Sequence, residues 1–160
     1  MREAVIVSTA RTPIGKAYRG AFNDTTSQAL GAHAIRHAVE RAKIDPAEVE
    51  DVILGAAIQM GTAFQNVARQ ALIRAGLPDT VPGQSIDRQC ASGMMAIAIA
   101  AKQIVADGMD VAIGGGVESI SMNQTGGMFA TPDPEILKDK PALYMAMIET
   151  AEIVGERYGV

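Results

Sequence analysis

A chain of 160 residues that is 48% hydrophobic and 20% charged has the size of one globular domain with a substantial core, which excludes disorder, collagen and coiled coil. With 14 Lys+Arg against 18 Asp+Glu the net charge is -4, and no run of like charges occurs, so neither a nucleic-acid nor an anionic-membrane partner is expected. The longest unbroken apolar stretch, Met94 to Ala101, falls short of a bilayer span, and the opening Met1-Arg2-Glu3-Ala4 is no secretory leader, so a cytoplasmic protein is expected.

Residues Glu3 to Ala10 form a β-branched run ended by Arg11-Thr12-Pro13, which predicts a buried parallel strand. Thr25 and Gln28 then predict a capping box for a helix carrying Leu30, Ala34, Ile35, Ala38 and Ala42 at helical spacing up to the Asp45-Pro46 break. A second strand is predicted over Asp51 to Ile58. A helix follows from about Asn66 to Ala75, with Gly76 as its C-cap and Pro78 beyond.

The segment Gln84 to Gln89 reads as a weak, polar strand, and local rules commonly fail beside functional sites. From Ala91 to Ala106 a helix is predicted that is apolar nearly all round, so it needs cover on several sides. Met109 to Ser119 supplies another apolar strand running into three glycines. Strands alternating with helices predict an α/β class with a mostly parallel sheet. After Ser121 the glycines, prolines and mixed charges mark a loop or small insertion, followed by a last helix over about Ala142 to Tyr158. The division expected is a core at 1–120 and the start of an inserted region at 121–160.

The lone cysteine, Cys90, excludes an internal disulfide and a Cys-based zinc site. Its place where a strand meets the first turn of an apolar helix puts unpaired N–H groups and the positive helix end near the sulfur, and both favour the nucleophilic thiolate. Ala91, Ser92 and Gly93 are small enough for a substrate to approach the backbone closely. The competing reading is an inert packing thiol. His33 and His37 are spaced for a metal on one helix face, but their stripe also holds Arg36, Glu40 and Arg41, as a solvated face does. Gly114-Gly115-Gly116 lacks the G-x-G-x-x-G spacing of a phosphate cradle and equally suits close backbone approach. Met122, Met128, Met145 and Met147 suit core filling or a flexible acyl pocket. The sequons at Asn23 and Asn123 carry no weight without secretion.

Four blocks along the chain resemble the N-terminal half of the thiolase family, the acetyl-CoA acetyltransferases and 3-ketoacyl-CoA thiolases. They are Arg11-Thr12-Pro13-Ile14-Gly15-Lys16, Gln65-Asn66-Val67-Ala68-Arg69-Gln70 with Ala75-Gly76-Leu77-Pro78, Cys90-Ala91-Ser92-Gly93-Met94, and Gly115-Gly116-Val117-Glu118-Ser119. The resemblance implies that the Cys90 sulfur takes an acyl group from an acyl-CoA and passes it to a second thioester or to free CoA. It also implies that the Cys90 N–H donates to the oxyanion.

In the family two α/β halves enclose the helix after the nucleophile, and a mostly helical loop domain, inserted after the G-G-x-E-S block, shapes the CoA and acyl site. The resemblance places Met147 on the substrate side there. It implies no cofactor beyond coenzyme A thioesters as substrates. The partners implied are a C-terminal thiolase half, on the same or a separate polypeptide, and further copies in a homo-oligomer.

The family's G-H-P, Asn-Glu-Ala-Phe and C-x-G motifs are absent, so the isolated chain is expected to be inactive. Asp87 stands where Asn is more usual, and Ile148 and Ile153 replace Gly and Asn in the last helix. A non-catalytic thiolase-like module for assembly or acyl-CoA binding is the alternative, and a ketoacyl synthase is the closer enzymatic one, disfavoured by G-G-x-E-S.

Overall fold

The computed structural model describes residues 2–124 and 131–160. They fall into two compact units, Met1–Met128 and Phe129–Val160. The first unit is built on three strands, β1 (Asp51–Gly55), β2 (Gly83–Ile86) and β3 (Ala112–Gly116), all parallel and ordered β2-β1-β3. Gly55 is level with Ile86 on one side and Gly116 on the other, so the three strands end along one edge. The central strand, β1, is buried at every position, as a near-continuous apolar run requires when both faces are covered.

Helices α1 (Ser27–Ala42) and α2 (Val67–Ala75) pack with the β1 side chains of Val52 and Leu54, through Ile35, Val39, Ala71 and Leu72. On the other face Ile53 packs against Ala96 and Ala100 of α3 (Ser92–Lys102), which continues through a π-turn at Gln103–Asp107. The alternation along β1 thus divides the core into two layers. A short helix, α4 (Ile120–Gln124), closes the described part of this unit. The second unit holds α5 (Pro134–Asp139), a 3-10 turn at Pro141–Tyr144 and α6 (Met147–Tyr158), none with a buried residue.

The helix after β1 follows the sequence reading closely: Asn66 Oδ1 caps the Arg69 N–H, and Gly76 ends the helix at φ 95°. Other expectations are corrected. Residues 2–16 form no strand, and Val5, Ile6 and Val7 are exposed. β-Branched composition favours extended backbone, but a strand also needs a ladder partner, and none of β1 to β3 pairs with this segment.

Thr26, not Thr25, caps α1 by accepting from the Ala29 N–H, and the Gln28 side chain donates to Gln70 instead of completing a capping box. The capping box that does form is Asp45 with Glu48, at the 3-10 turn beyond the helix. The last predicted helix is broken, because the extended backbone of Ala146 separates the 3-10 turn from α6.

By length and composition the helical stretch Gln89–Asp107 is apolar enough to cross a membrane, with a mean hydropathy of 1.3, which the count of unbroken apolar residues misses. Here it is docked on the sheet by one face. The expectation of cover on several sides is met on that side alone: Met94 is 77% and Ile97 48% exposed.

Candidate active site

Beyond Ile86 the chain reaches Cys90 through a tight turn. Asp87 Oδ1 accepts the Gln89 N–H at 2.7 Å, an Asx turn, so the carboxylate fills an acceptor's role where Asn is more usual. Gln89 sits at φ 49°, in the left-handed region that a non-glycine side chain enters at a cost of about 1–2 kcal/mol. The Ala91 N–H donates to the Arg88 carbonyl and the Ser92 N–H to that of Gln89, both at 3.1 Å. The Ser92 hydroxyl, 3% exposed as a residue, donates to the Gln89 carbonyl at 2.6 Å and accepts the Arg88 N–H at 2.8 Å. Cys90 stands exposed within this closed turn, at the mouth of α3, whose N-cap Ala91 offers no side-chain acceptor to the helix N–H groups.

Glycines make the floor. A Cβ on Gly55 would lie 2.1 Å from the Ser92 carbonyl carbon and 2.5 Å from the Gly93 nitrogen. One on Gly114 would lie 2.7 Å from the Ile97 Cα, and one on Gly116 2.9 Å from the Gly93 Cα. The run at the end of β3 therefore serves close approach of helix backbone to sheet, the structural alternative to a phosphate cradle.

Beyond the glycines, Glu118 and Asn123 knit the strand-end loops together. Glu118 Oε2 accepts the N–H groups of Ala57 at 2.8 Å and Ile58 at 3.2 Å, and Oε1 accepts from Asn123 Nδ2 at 3.1 Å. Asn123 Oδ1 accepts from the hydroxyls of Ser27 and Thr62, while Nδ2 also donates to the Ile58 carbonyl. Ser119 Oγ donates to the Thr25 carbonyl. Two residues of the G-G-x-E-S block thus fasten the loop after β1 and the segment before α1.

Sequence reasoning took Ser92 only as a small residue and Asn123 only as part of a sequon without weight. The Ser92 signal was present, since a hydroxyl on the first residue of a helix can bond back to the turn that precedes it. That of Asn123 was not, because three of its four partners, Ser27, Ile58 and Thr62, lie more than 60 residues away.

Met147 lies in the second unit at the start of α6 and is 73% exposed, so it fills no core. Met128 lies outside the described residues. His33 is exposed and its ring meets that of His37 edge-on at 4.4 Å, while His37 Nδ1 lies 2.9 Å from Glu40 Oε2. Among the described residues no group of three or more His, Cys, Asp or Glu side chains could hold a metal ion. Two open grooves, of about 610 Å³ beside Arg69 and Arg74 and about 450 Å³ beside Ser8 and Arg41, do not include Cys90.

A family model described as the thiolase N-terminal domain matches residues 4–152. The 3-ketoacyl-CoA thiolase of Bacillus subtilis (strain 168) is 40% identical over 160 residues, an alignment covering 100% of this chain and 41% of the relative. The acetyl-CoA acetyltransferase of Escherichia coli (strain K12) is 43% identical over 122 residues, covering 76% of this chain and 30% of that one. The crystal structure of the Bacillus anthracis acetyl-CoA acetyltransferase shares the fold with a TM-score of 0.83 and 37% identity, over 100% of this chain and 43% of the other. The chain therefore spans about two fifths of the length of such relatives. Since the match extends from the unpaired N-terminal segment through the cysteine turn and the glutamate-serine block into α6, the chain belongs to the thiolase family, of which it carries the N-terminal domain.

Proposed function

We propose that this chain is the nucleophile-bearing part of an acyl-CoA acyltransferase of the thiolase type. The observation that carries the reading is the exposed Cys90, held in a closed turn just ahead of the first turn of α3. In the first half-reaction the Cys90 sulfur attacks the thioester carbonyl carbon. A new carbon–sulfur bond forms, the bond to the CoA sulfur breaks, and the proton of the Cys90 thiol ends on the released CoA thiol.

The Cys90 N–H is one donor to the transient oxyanion. In the second half-reaction a free CoA thiol, or the α-carbon of a second thioester, takes the acyl group from Cys90. That step needs a base to remove a proton from the acceptor, which the family places in the G-H-P and C-x-G motifs that this sequence does not contain.

The reading carries with it a cytoplasmic location, no resident cofactor, and assembly with a polypeptide carrying those motifs and with further copies of the chain. Met147 is assigned to the acyl-CoA side of the completed site. A non-catalytic assembly module is the second reading, favoured by the uncovered apolar side of α3.

The test is intact-mass analysis of the purified chain after incubation with acetyl-CoA and with acetoacetyl-CoA. One acyl adduct, released by mild neutral hydroxylamine as a thioester is and absent from Cys90→Ala, is expected, with no sustained thiolysis until a polypeptide carrying G-H-P and C-x-G is added. No adduct on folded chain, even with that polypeptide present, would establish the assembly reading instead. Multiple turnovers by the lone chain, in a preparation pure by mass, would overturn its dependence on a second part.

A further inference from the structure

The turn that presents Cys90 is closed by a side chain whose chemistry the acylation reading does not use. The Ser92 hydroxyl is buried and makes two hydrogen bonds, giving its proton to the Gln89 carbonyl and taking the Arg88 N–H. Both partners precede Cys90, so the hydroxyl bridges the cysteine from the helix side and closes the segment 88–92 into a ring.

That ring contains a residue under conformational strain. Gln89, exposed and at φ 49°, has no packing that would hold it in the left-handed region. Its carbonyl, however, receives both the Ser92 hydroxyl and the Ser92 N–H, and its own N–H is taken by Asp87. Ser92 in turn cannot retreat toward the sheet, because Gly55 lies directly beneath its carbonyl.

We infer that Ser92 is a positioning residue for Cys90: its hydroxyl holds Gln89 left-handed, and the left-handed Gln89 turns the chain so that the Cys90 sulfur stands outside the helix mouth. The inference rests on the acylation reading for its meaning, but its geometry concerns the thiol alone. Without the hydroxyl, Gln89 relaxes toward negative φ and the thiol loses its fixed direction.

The experiment measures the second-order rate of iodoacetamide alkylation of Cys90 in the folded chain, divided by the rate in the urea-unfolded chain, at one pH. It is run on wild type, Ser92→Ala, Gln89→Val, and Ser92→Ala combined with Gln89→Gly. Ser92→Ala is expected to lower the ratio roughly tenfold, the effect of losing one buried hydrogen-bonded clasp and loosening a reactive geometry. Gln89→Val, which alters an exposed side chain but disfavours positive φ, should change it in the same direction and keeps the test open if Ser92→Ala fails to fold.

Adding Gln89→Gly to Ser92→Ala should return most of the lost ratio, because glycine adopts positive φ without a clasp. A purely structural role for Ser92 would lower the unfolding midpoint without this rescue. An unchanged ratio in folded Ser92→Ala, or a full change that Gln89→Gly does not reverse, would overturn the assignment. Acetyl-CoA labelling of the wild type is scored separately, so failure of acylation with the alkylation pattern intact would refute only the thiolase reading.

Discussion

Gly55 lies so close beneath Ser92 that a single added carbon would sit 2.1 Å from the Ser92 carbonyl carbon, well inside any real contact. The end of the central strand and the mouth of the cysteine helix are thus packed backbone against backbone. The strand end is itself fixed, since the Val117 N–H also donates to the Gly55 carbonyl and the Ala56 N–H to that of Ile86.

Gly55→Ala should therefore destabilise the chain by about 3 kcal/mol or more, beyond ordinary overpacking because the obstacle is backbone rather than a side chain that can rotate. Gly115→Ala provides the contrast: its added carbon would meet only the end of the Leu54 side chain, at 3.5 Å. That variant should lie within about 1 kcal/mol of wild type. Urea unfolding of both checks the reading, and equal costs at the two positions would show that the glycines do not act through close approach to α3.

The polar hub at Asn123 makes a second claim on stability. The residue is only 2% exposed, and its amide serves Ser27, Thr62, the Ile58 carbonyl and Glu118 together. Replacing it with Ala leaves the Ile58 carbonyl without that donor and one Glu118 oxygen without its amide. The expected loss is about 2–4 kcal/mol, since buried partners left unpaired cost more than the mean value of a bond. A loss below about 1 kcal/mol, measured by denaturant titration, would mean that the hub can rearrange or admit water.

What the sequence discloses and what it withholds divide along the range of the interactions. β1 is legible because Asp51–Gly55 is buried throughout and its composition alone requires two covered faces. α2 is legible because its stop signals, Gly76 as C-cap and Pro78 beyond, are local, whereas the Asn66 cap is seen only in the structure. The Glu3 to Ala10 segment misleads because strand propensity says nothing about whether a neighbour is present to pair with it. At the site, Cys90 is found by its junction between strand and helix, whereas the run Gly114-Gly115-Gly116 is ambiguous until Gly93 and Ile97 are seen against it. The left-handed Gln89 leaves no mark in composition, because its conformation is imposed by bonds to Asp87 and Ser92 rather than chosen by the residue.

The outer side of α3 yields the last prediction. Met94 and Ile97, 77% and 48% exposed, lie a turn apart on a helix whose opposite face, Ala96 and Ala100, is packed on Ile53. Val105 extends the apolar strip along the π-turn. Monomers rarely leave a continuous apolar area beyond a few hundred Å² in water. The isolated chain should therefore associate with itself, and a polypeptide with the remaining thiolase motifs should compete for the same face.

Met94→Lys with Ile97→Lys should shift the chain toward monomer in sedimentation velocity while leaving the far-ultraviolet circular dichroism unchanged, because both residues are exposed and a lysine stem can cover the half of Ile97 that is not. The same pair of lysines should weaken binding of the added polypeptide by at least tenfold, since burying either charge without a partner is costly. Association that persists undiminished in the doubly substituted chain would place the contact elsewhere, on the exposed Val5 to Val7 segment or in the second unit, and would leave α3 an uncovered helix rather than an interface.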